Sequence, residues 1–126
     1  MALEAGRLSA ANRPDAPDLH GGFVLSSKLT ADSQTARAAA ATTEMLGDDR
    51  LVPAAERAEA IDRAGDTIRF LMQLVTTDEM GWSYRRPDRV VGGIRTSMWD
   101  RDLAPAAQAM TLIALSEWLE ATSDTP

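Results

Sequence analysis

Two loops hold the clusters of side chains that could do acid–base or cation chemistry. Carboxylates cluster at Asp48-Asp49 and at Asp100-Arg101-Asp102. Asp100 or Asp102 could act as acid or base in a hydrolysis. Paired catalytic carboxylates, however, face each other across a cleft at a defined separation, which neighbours in one loop rarely provide. The plainer reading makes both clusters loop or helix-N-terminal acids, favoured by the positive end of a helix. The chain has no cysteine and one histidine, His20, near its N-terminus. That excludes a thiol nucleophile, a disulfide framework and a thiolate zinc site. Neither a metal nor another cofactor is expected. The aromatics Trp82, Tyr84 and Trp99 stand in a second loop, and Trp118 in an apolar segment. They read first as packing residues, Trp118 as core. The sharper reading has Trp82, Tyr84 and Trp99 lining an apolar cavity, where an aromatic face stabilises a cation. Around them, Arg85, Arg86, Arg89, Arg95 and Arg101 outnumber Asp88, Asp100 and Asp102 by two. That excess would steer an anion, or else form local ion pairs on a solvated loop. Gln34 and Gln108 carry amides that must find partners if buried, in neighbouring loops or in a ligand. The candidate ligand contacts are therefore Trp82, Tyr84, Arg95, Trp99, Asp100 and Gln108, and no catalytic residue is assigned.

Those residues need a scaffold, and 126 residues with 44% apolar and 25% charged side chains suffice for one modest core. A net charge of −6 argues against nucleic acid as a partner, which needs a basic footprint. The longest mostly apolar run, Ala104 to Leu115, is interrupted by Gln108 and Thr111 and is too short to span a bilayer. The first residues carry Glu4 and Arg7 and no apolar stretch, unlike a signal peptide, so a cytoplasmic location is expected.

Residues 1–20 read as a flexible tail, broken by Ser9, Asn12, Pro14, Asp15, Pro17 and Asp18. Residues 21–126 read as an all-α domain of three main helices. The first is predicted over 31–46, started by Thr30 or Asp32 and ended by Gly47. Its face Ala36, Ala39, Ala40, Thr43 is small and allows a close neighbour. The second is predicted over 53–76, with Pro53 at its first position and an apolar stripe of Ala54, Ala58, Ile61, Gly65, Ile68, Met72 and Val75. The third is predicted over 102–121, with Pro105 tolerated in the first turn. Its apolar residues Met110, Leu112, Ile113, Ala114, Leu115, Trp118 and Leu119 surround most of the helix. This predicts the most buried element, with Met110, Ala114 and Leu115 nearly inaccessible. A short joint makes the first two helices an antiparallel hairpin. The long joint from Thr77 to Arg101 is predicted as a loop or a short ribbon pairing Trp82–Tyr84 with Val91–Ile94.

The chain also repeats. Gly21-Gly22-Phe23 and Gly92-Gly93-Ile94 each precede a helix, and Gln34 aligns with Gln108. The glycine pairs lie 71 residues apart and the glutamines 74, so the second loop is expected to be three residues longer. One full unit of Gly-Gly loop, helix, turn and helix is followed by half of another. Such hairpins do not bury both faces alone and expect neighbours.

The segment Arg89-Val90-Val91-Gly92-Gly93-Ile94-Arg95-Thr96-Ser97-Met98-Trp99-Asp100, with Ala107-Gln108-Ala109-Met110 and the apolar helix after it, resembles a late repeat of the α/α-toroid superfamily. That superfamily includes terpenoid cyclases and prenyltransferase-like proteins. The Gly21-Gly22-Phe23 loop resembles an earlier repeat, so the likeness covers about residues 20 to 121. It implies a partial toroid, a C-terminal portion of a ring of hairpins with inner helices around a cavity. The cyclases' Asp-x-Asp-Asp acid is missing, as is the cysteine of the prenyltransferases' zinc site. The implied role is structural, or binding of an apolar small molecule, without catalysis by this chain alone. Alternatives are a fragment of an α/α-barrel carbohydrate-active enzyme and a helical protein-interaction module. The third helix keeps apolar surface on its far side at Leu112, Leu119 or Trp118. Self-association or a partner helical surface is therefore expected.

Overall fold

The computed structural model describes residues 7–8, 15–24 and 31–123. The tail positions Ser9, Asn12 and Pro14 and the proposed cap Thr30 lie outside the described residues. The fold is all-α, with helices α1 (Thr35–Met45), α2 (Arg57–Gln73) and α3 (Pro105–Ser123). Short 3-10 turns at Pro17–Leu19, Ala54–Glu56, Asp78–Ser83 and Pro87–Arg89 connect them.

Alanine, the strongest helix former, supplies five of the eleven residues of α1. Ala36, Ala38, Ala39 and Ala40 are buried, and their small side chains let both other helices come close. Thr42 and Thr43 are also buried; their hydroxyls donate to the carbonyls of Ala38, Ala39 and Ala40, one turn back. The helix starts later than predicted, after a turn in which Asp32 Oδ1 accepts from the Gln34 N–H at 2.9 Å. Eight residues of joint (46–53) and a 3-10 turn lead into α2, where the Arg57 guanidinium reaches back to the Leu46 carbonyl. Pro53 begins that 3-10 turn rather than the α-helix.

On α2 the buried face is Ala64, Gly65, Thr67, Ile68, Phe70 and Leu71, continuing into Leu74. This corrects the predicted stripe: Ala54, Ala58 and Met72 point to solvent. The cause is double coverage. The helix packs against both α1 and α3, while the N-terminal loop covers Phe70. At Gly65 the missing side chain makes room for the Trp118 ring, whose Nε1 donates to the Ile61 carbonyl at 3.1 Å.

Helix α3 lies parallel to α1. Residues from the starts of both, including Ala36, Arg37, Ala106 and Ala107, line one cleft, and residues from both ends, including Thr43, Leu46, Glu117 and Ala121, line another. The pair makes the most extensive helix contact in the molecule. Yet α3 is not the most buried element, contrary to its apolar girth. Ala107, Thr111, Ala114 and Ala121 are buried, but Met110 and Leu115 are only half-buried. Leu112, Ile113 and Leu119 are exposed at 66%, 49% and 51%. Apolarity all round met neighbours on one side only.

Of the predicted tail, the described Arg7, Leu8, Ala16 and Leu19 pack against the rest of the fold. Leu19 is core, Leu8 rests against it, and Arg7 pairs with Phe23 in an antiparallel bridge. Arg7 also lies over the Phe23 ring, 4.8 Å from its centroid. Between α2 and α3 the predicted ribbon is replaced by one bridge, Val75 with Ile94. Trp82 and Ser83 belong instead to the 3-10 turn Asp78–Ser83.

Candidate functional site

Two matching Gly-Gly clasps hold the loops that precede α1 and α3. In the first, the Leu8 N–H donates to the Gly22 carbonyl at 2.8 Å and the Gly21 N–H to the Leu8 carbonyl at 2.9 Å. In the second, Thr76 N–H donates to Gly93 and Gly92 N–H to Thr76, both at 2.8 Å. Both clasps follow a 3-10 turn that begins Pro-Asp, at Pro17-Asp18 and Pro87-Asp88. Gly21 and Gly92 carry φ of +86° and +89°, a region L side chains avoid.

The residue after each clasp is gripped by the next helix. The Thr35 hydroxyl accepts from the Phe23 N–H at 3.0 Å and donates to the Phe23 carbonyl at 3.3 Å. Gln108 does the same for Ile94: its Oε1 accepts from the N–H and its Nε2 donates to the carbonyl, each at 2.6 Å. Gln108 therefore has Thr35, and not Gln34, as its counterpart; Gln34 is exposed. The second loop is longer by two residues rather than three. Sequence reasoning missed Thr35 because a short hydroxyl and a long amide perform one task, and matching by residue type favoured the glutamine.

The remaining predicted contacts fall into two groups. Arg95 donates to the carbonyls of Gln73, Leu74 and Met98, which places its cation at the carboxyl end of α2, where the helix dipole favours it. Asp100 Oδ1 accepts from the Asp102 N–H at 3.0 Å in an exposed turn, and Ser97 Oγ accepts from the N–H groups of Trp99 and Asp100. Tyr84 Oη donates to the Arg101 carbonyl and Arg101 donates to the Ser83 carbonyl, both at 2.8 Å. That double link draws the Trp82 and Trp99 strands of the loop together. Both indoles are exposed, at 88% and 78%, so the packing reading fails for them. The loop's charge is balanced once Asp78 and Glu79 are included: residues 78–102 hold five arginines and five acids.

The two carboxylates with a displaced pKa among the described residues, Asp48 and Asp66, are both displaced downward. Asp48 is held below the usual carboxylate range, first by the Arg50 side chain and then by the Arg50 N–H. Burial works to raise the pKa of Asp66, but hydrogen bonds and charge from Arg69 and His20 outweigh it and leave it lowered. His20 Nε2 lies 3.0 Å from Asp66 Oδ2, so this histidine is tied to α2 and not to a tail. Among the described residues no three His, Cys, Asp or Glu side chains gather as a metal site. No helix of the described residues is long and apolar enough to cross a membrane. A cleft of about 400 Å³ between α1 and α2 joins Met45, Leu46, Leu51 and Val52 to Arg7, Glu56, Glu59 and Arg63. Its mixed lining contains none of Trp82, Tyr84 or Trp99.

The clasps fix a register between α1 and α3, and that register exposes a difference. With Thr35 set on Gln108, Ala36, Ala39, Ala40, Thr43 and Leu46 correspond to Ala109, Leu112, Ile113, Ser116 and Leu119. The first set is buried by α2 and α3, and the second is exposed. The same face is covered in the first unit and open in the second. No family model, curated protein or solved structure matches the chain.

Proposed function

We propose that the chain is a non-catalytic helical-repeat module, one and a half hairpin units in the manner of an α/α-toroid, that works by docking another helical layer. The working surface is the outer face of α3. One observation carries this reading: the face Ala109, Leu112, Ile113, Ser116, Leu119 is exposed, while its counterpart on α1 is core. Apolar surface repeated at a covered position is surface built to be covered. The polar groups of Arg95 and Gln108 are engaged by backbone, which favours a structural role for them over ligand contact.

An environment-sensitive apolar dye, combined with sedimentation, tests the proposal. Either the chain associates through α3, or the lone chain binds dye there. Replacing Leu112 and Leu119 by Gln abolishes whichever is seen, with helicity unchanged because both residues are already exposed. A monomer that binds no dye overturns it.

A further inference from the structure

The outer face of α3 has a specific pattern. Ala109, Leu112, Ser116 and Leu119 are spaced three, four and three apart, the seam of a two-helix coil, with Ile113 and Glu120 along one flank. Small and large residues alternate along it. Ser116 needs no partner in a dry seam, because its hydroxyl donates to the Leu112 carbonyl at 2.8 Å within the helix.

We propose that the occupant of this face is a second copy of the chain, with the two α3 helices antiparallel about a two-fold axis near Ala114. This rests on the docking role just proposed. Three observations select it. First, an antiparallel pairing seats Leu112 against the partner's Ser116 and Leu119 against the partner's Ala109, so every layer joins a large residue to a small one. A parallel pairing stacks leucine on leucine and alanine on alanine, leaving crowded and empty layers in turn. Second, charge selects the same direction. Parallel helices would set Glu120 against its own copy in a chain of net charge −6. Antiparallel helices set Glu120 level with Gln108 in the first turn of the partner's α3, where the helix dipole favours an acid. Third, the alternative of head-to-tail stacking would dock α3 on the open side of α1. That side carries exposed Gln34, Arg37 and Glu44, and its apolar exposure is confined to Ala41 and Leu51 with half-buried Met45, a poorer complement than the continuous Leu112, Ile113 and Leu119 face. The apolar complement is α3 itself, and an antiparallel second copy stands to α3 as α2 stands to α1.

One helix pair buries less than the roughly 1,600 Å² of a standard interface, so dissociation on the order of micromolar is expected. Light scattering on the full chain, from about a hundred micromolar down to about one, should pass from dimer to monomer. Leu112→Glu should be monomeric at every concentration with unchanged helicity, a loss of affinity of more than a hundredfold. Direction is read from single thiols, since the chain has no cysteine. In the antiparallel dimer the two copies of residue 116 are offset by about 6 Å along the axis and those of residue 123 by about 27 Å. A short bis-maleimide should therefore link Ser116→Cys and leave Ser123→Cys single. Linking of both would mean parallel helices and would overturn the proposal, as would a Leu112→Glu chain that stays dimeric. A wild-type monomer that binds apolar dye through Leu112 overturns the second copy but leaves the docking face standing. A monomer without dye binding removes both.

Discussion

The two Gly-Gly clasps share a backbone conformation but not an environment, and alanine at each first glycine separates the two effects. At Gly92 the φ is +89° and nothing lies within 4 Å of a would-be Cβ. Gly92→Ala therefore carries only the backbone cost of the left-handed region, about 1–2 kcal/mol. Part of it is offset by the stiffer unfolded chain, worth about 0.4–1 kcal/mol. The net loss expected is on the order of 1 kcal/mol. At Gly21 the φ is +86°, but the added Cβ would collide with the Asp66 carbonyl and sit 2.8 Å from the Thr67 nitrogen. These are backbone atoms of α2 and do not turn aside. Relief requires the loop to lift from the helix, which uncovers Leu19 and Phe23, now nearly inaccessible. At about 1.5–3 kcal/mol for each side chain, lifting costs roughly 3–6 kcal/mol. Urea unfolding followed by circular dichroism measures both variants. Gly21→Ala should lose at least about 2 kcal/mol more than Gly92→Ala, or lose its cooperative transition while Gly92→Ala keeps it. Equal losses would refute the close approach of the first clasp to α2. A D-alanine at 92, which adopts positive φ without strain, should restore wild-type stability.

Two further expectations use the same measurement. Thr35→Val removes the grip on Phe23 and leaves a buried N–H without its acceptor, for a loss of about 1–3 kcal/mol. Thr76→Val at a hydroxyl that is buried and makes no hydrogen bond should be neutral or stabilising. The Asp66 carboxylate has a lowered folded pKa, so its contribution is present above the ordinary aspartate value, about 3.9, and disappears as pH falls through the lowered one. Asp66→Asn should cost up to about 1 kcal/mol at pH 7, shrinking toward zero in acid and in high salt. A difference that survives well below the ordinary aspartate value would contradict the ion pair to Arg69.

The helices were legible because their signals are local. Alanine runs, Gly47 and Pro105 act within a turn or two of themselves, and the structure keeps the elements while trimming their starts. The clasps were legible for the same reason: Gly92 is a backbone requirement, visible wherever it stands. The grip on the following residue was not, since Thr35 and Gln108 share geometry without sharing type. Burial on α2 was misread at Met72 and Ala58 because a single stripe assumes one neighbouring surface, and Phe70 lies under a loop more than forty residues earlier in the chain. Trp82 and Trp99 carry no sequence mark that separates an anchored indole from an open one. Only the link from Tyr84 and Arg101 shows how their strands are held.

The case of α3 joins these points. Apolar residues on every side of a helix state that every side is to be covered, but not by what. Inside the chain, α1 and α2 cover one side, and Ala114 is inaccessible there. The opposite side repeats, position for position, the face that α1 buries, with larger residues at two of the five positions: Leu112 and Ile113 stand where α1 has Ala39 and Ala40. Small residues on α1 suit helices held close by the chain's own turns. On the proposed docking role, leucines that stand further from their helix axis would reach a surface that no turn brings near, and Ala109 and Ser116 beside them would leave room for a partner's leucines. The exchange of Ala39 and Ala40 for Leu112 and Ile113 along an otherwise equivalent face is therefore what the docking proposal rests on, and what an internal seam would not need.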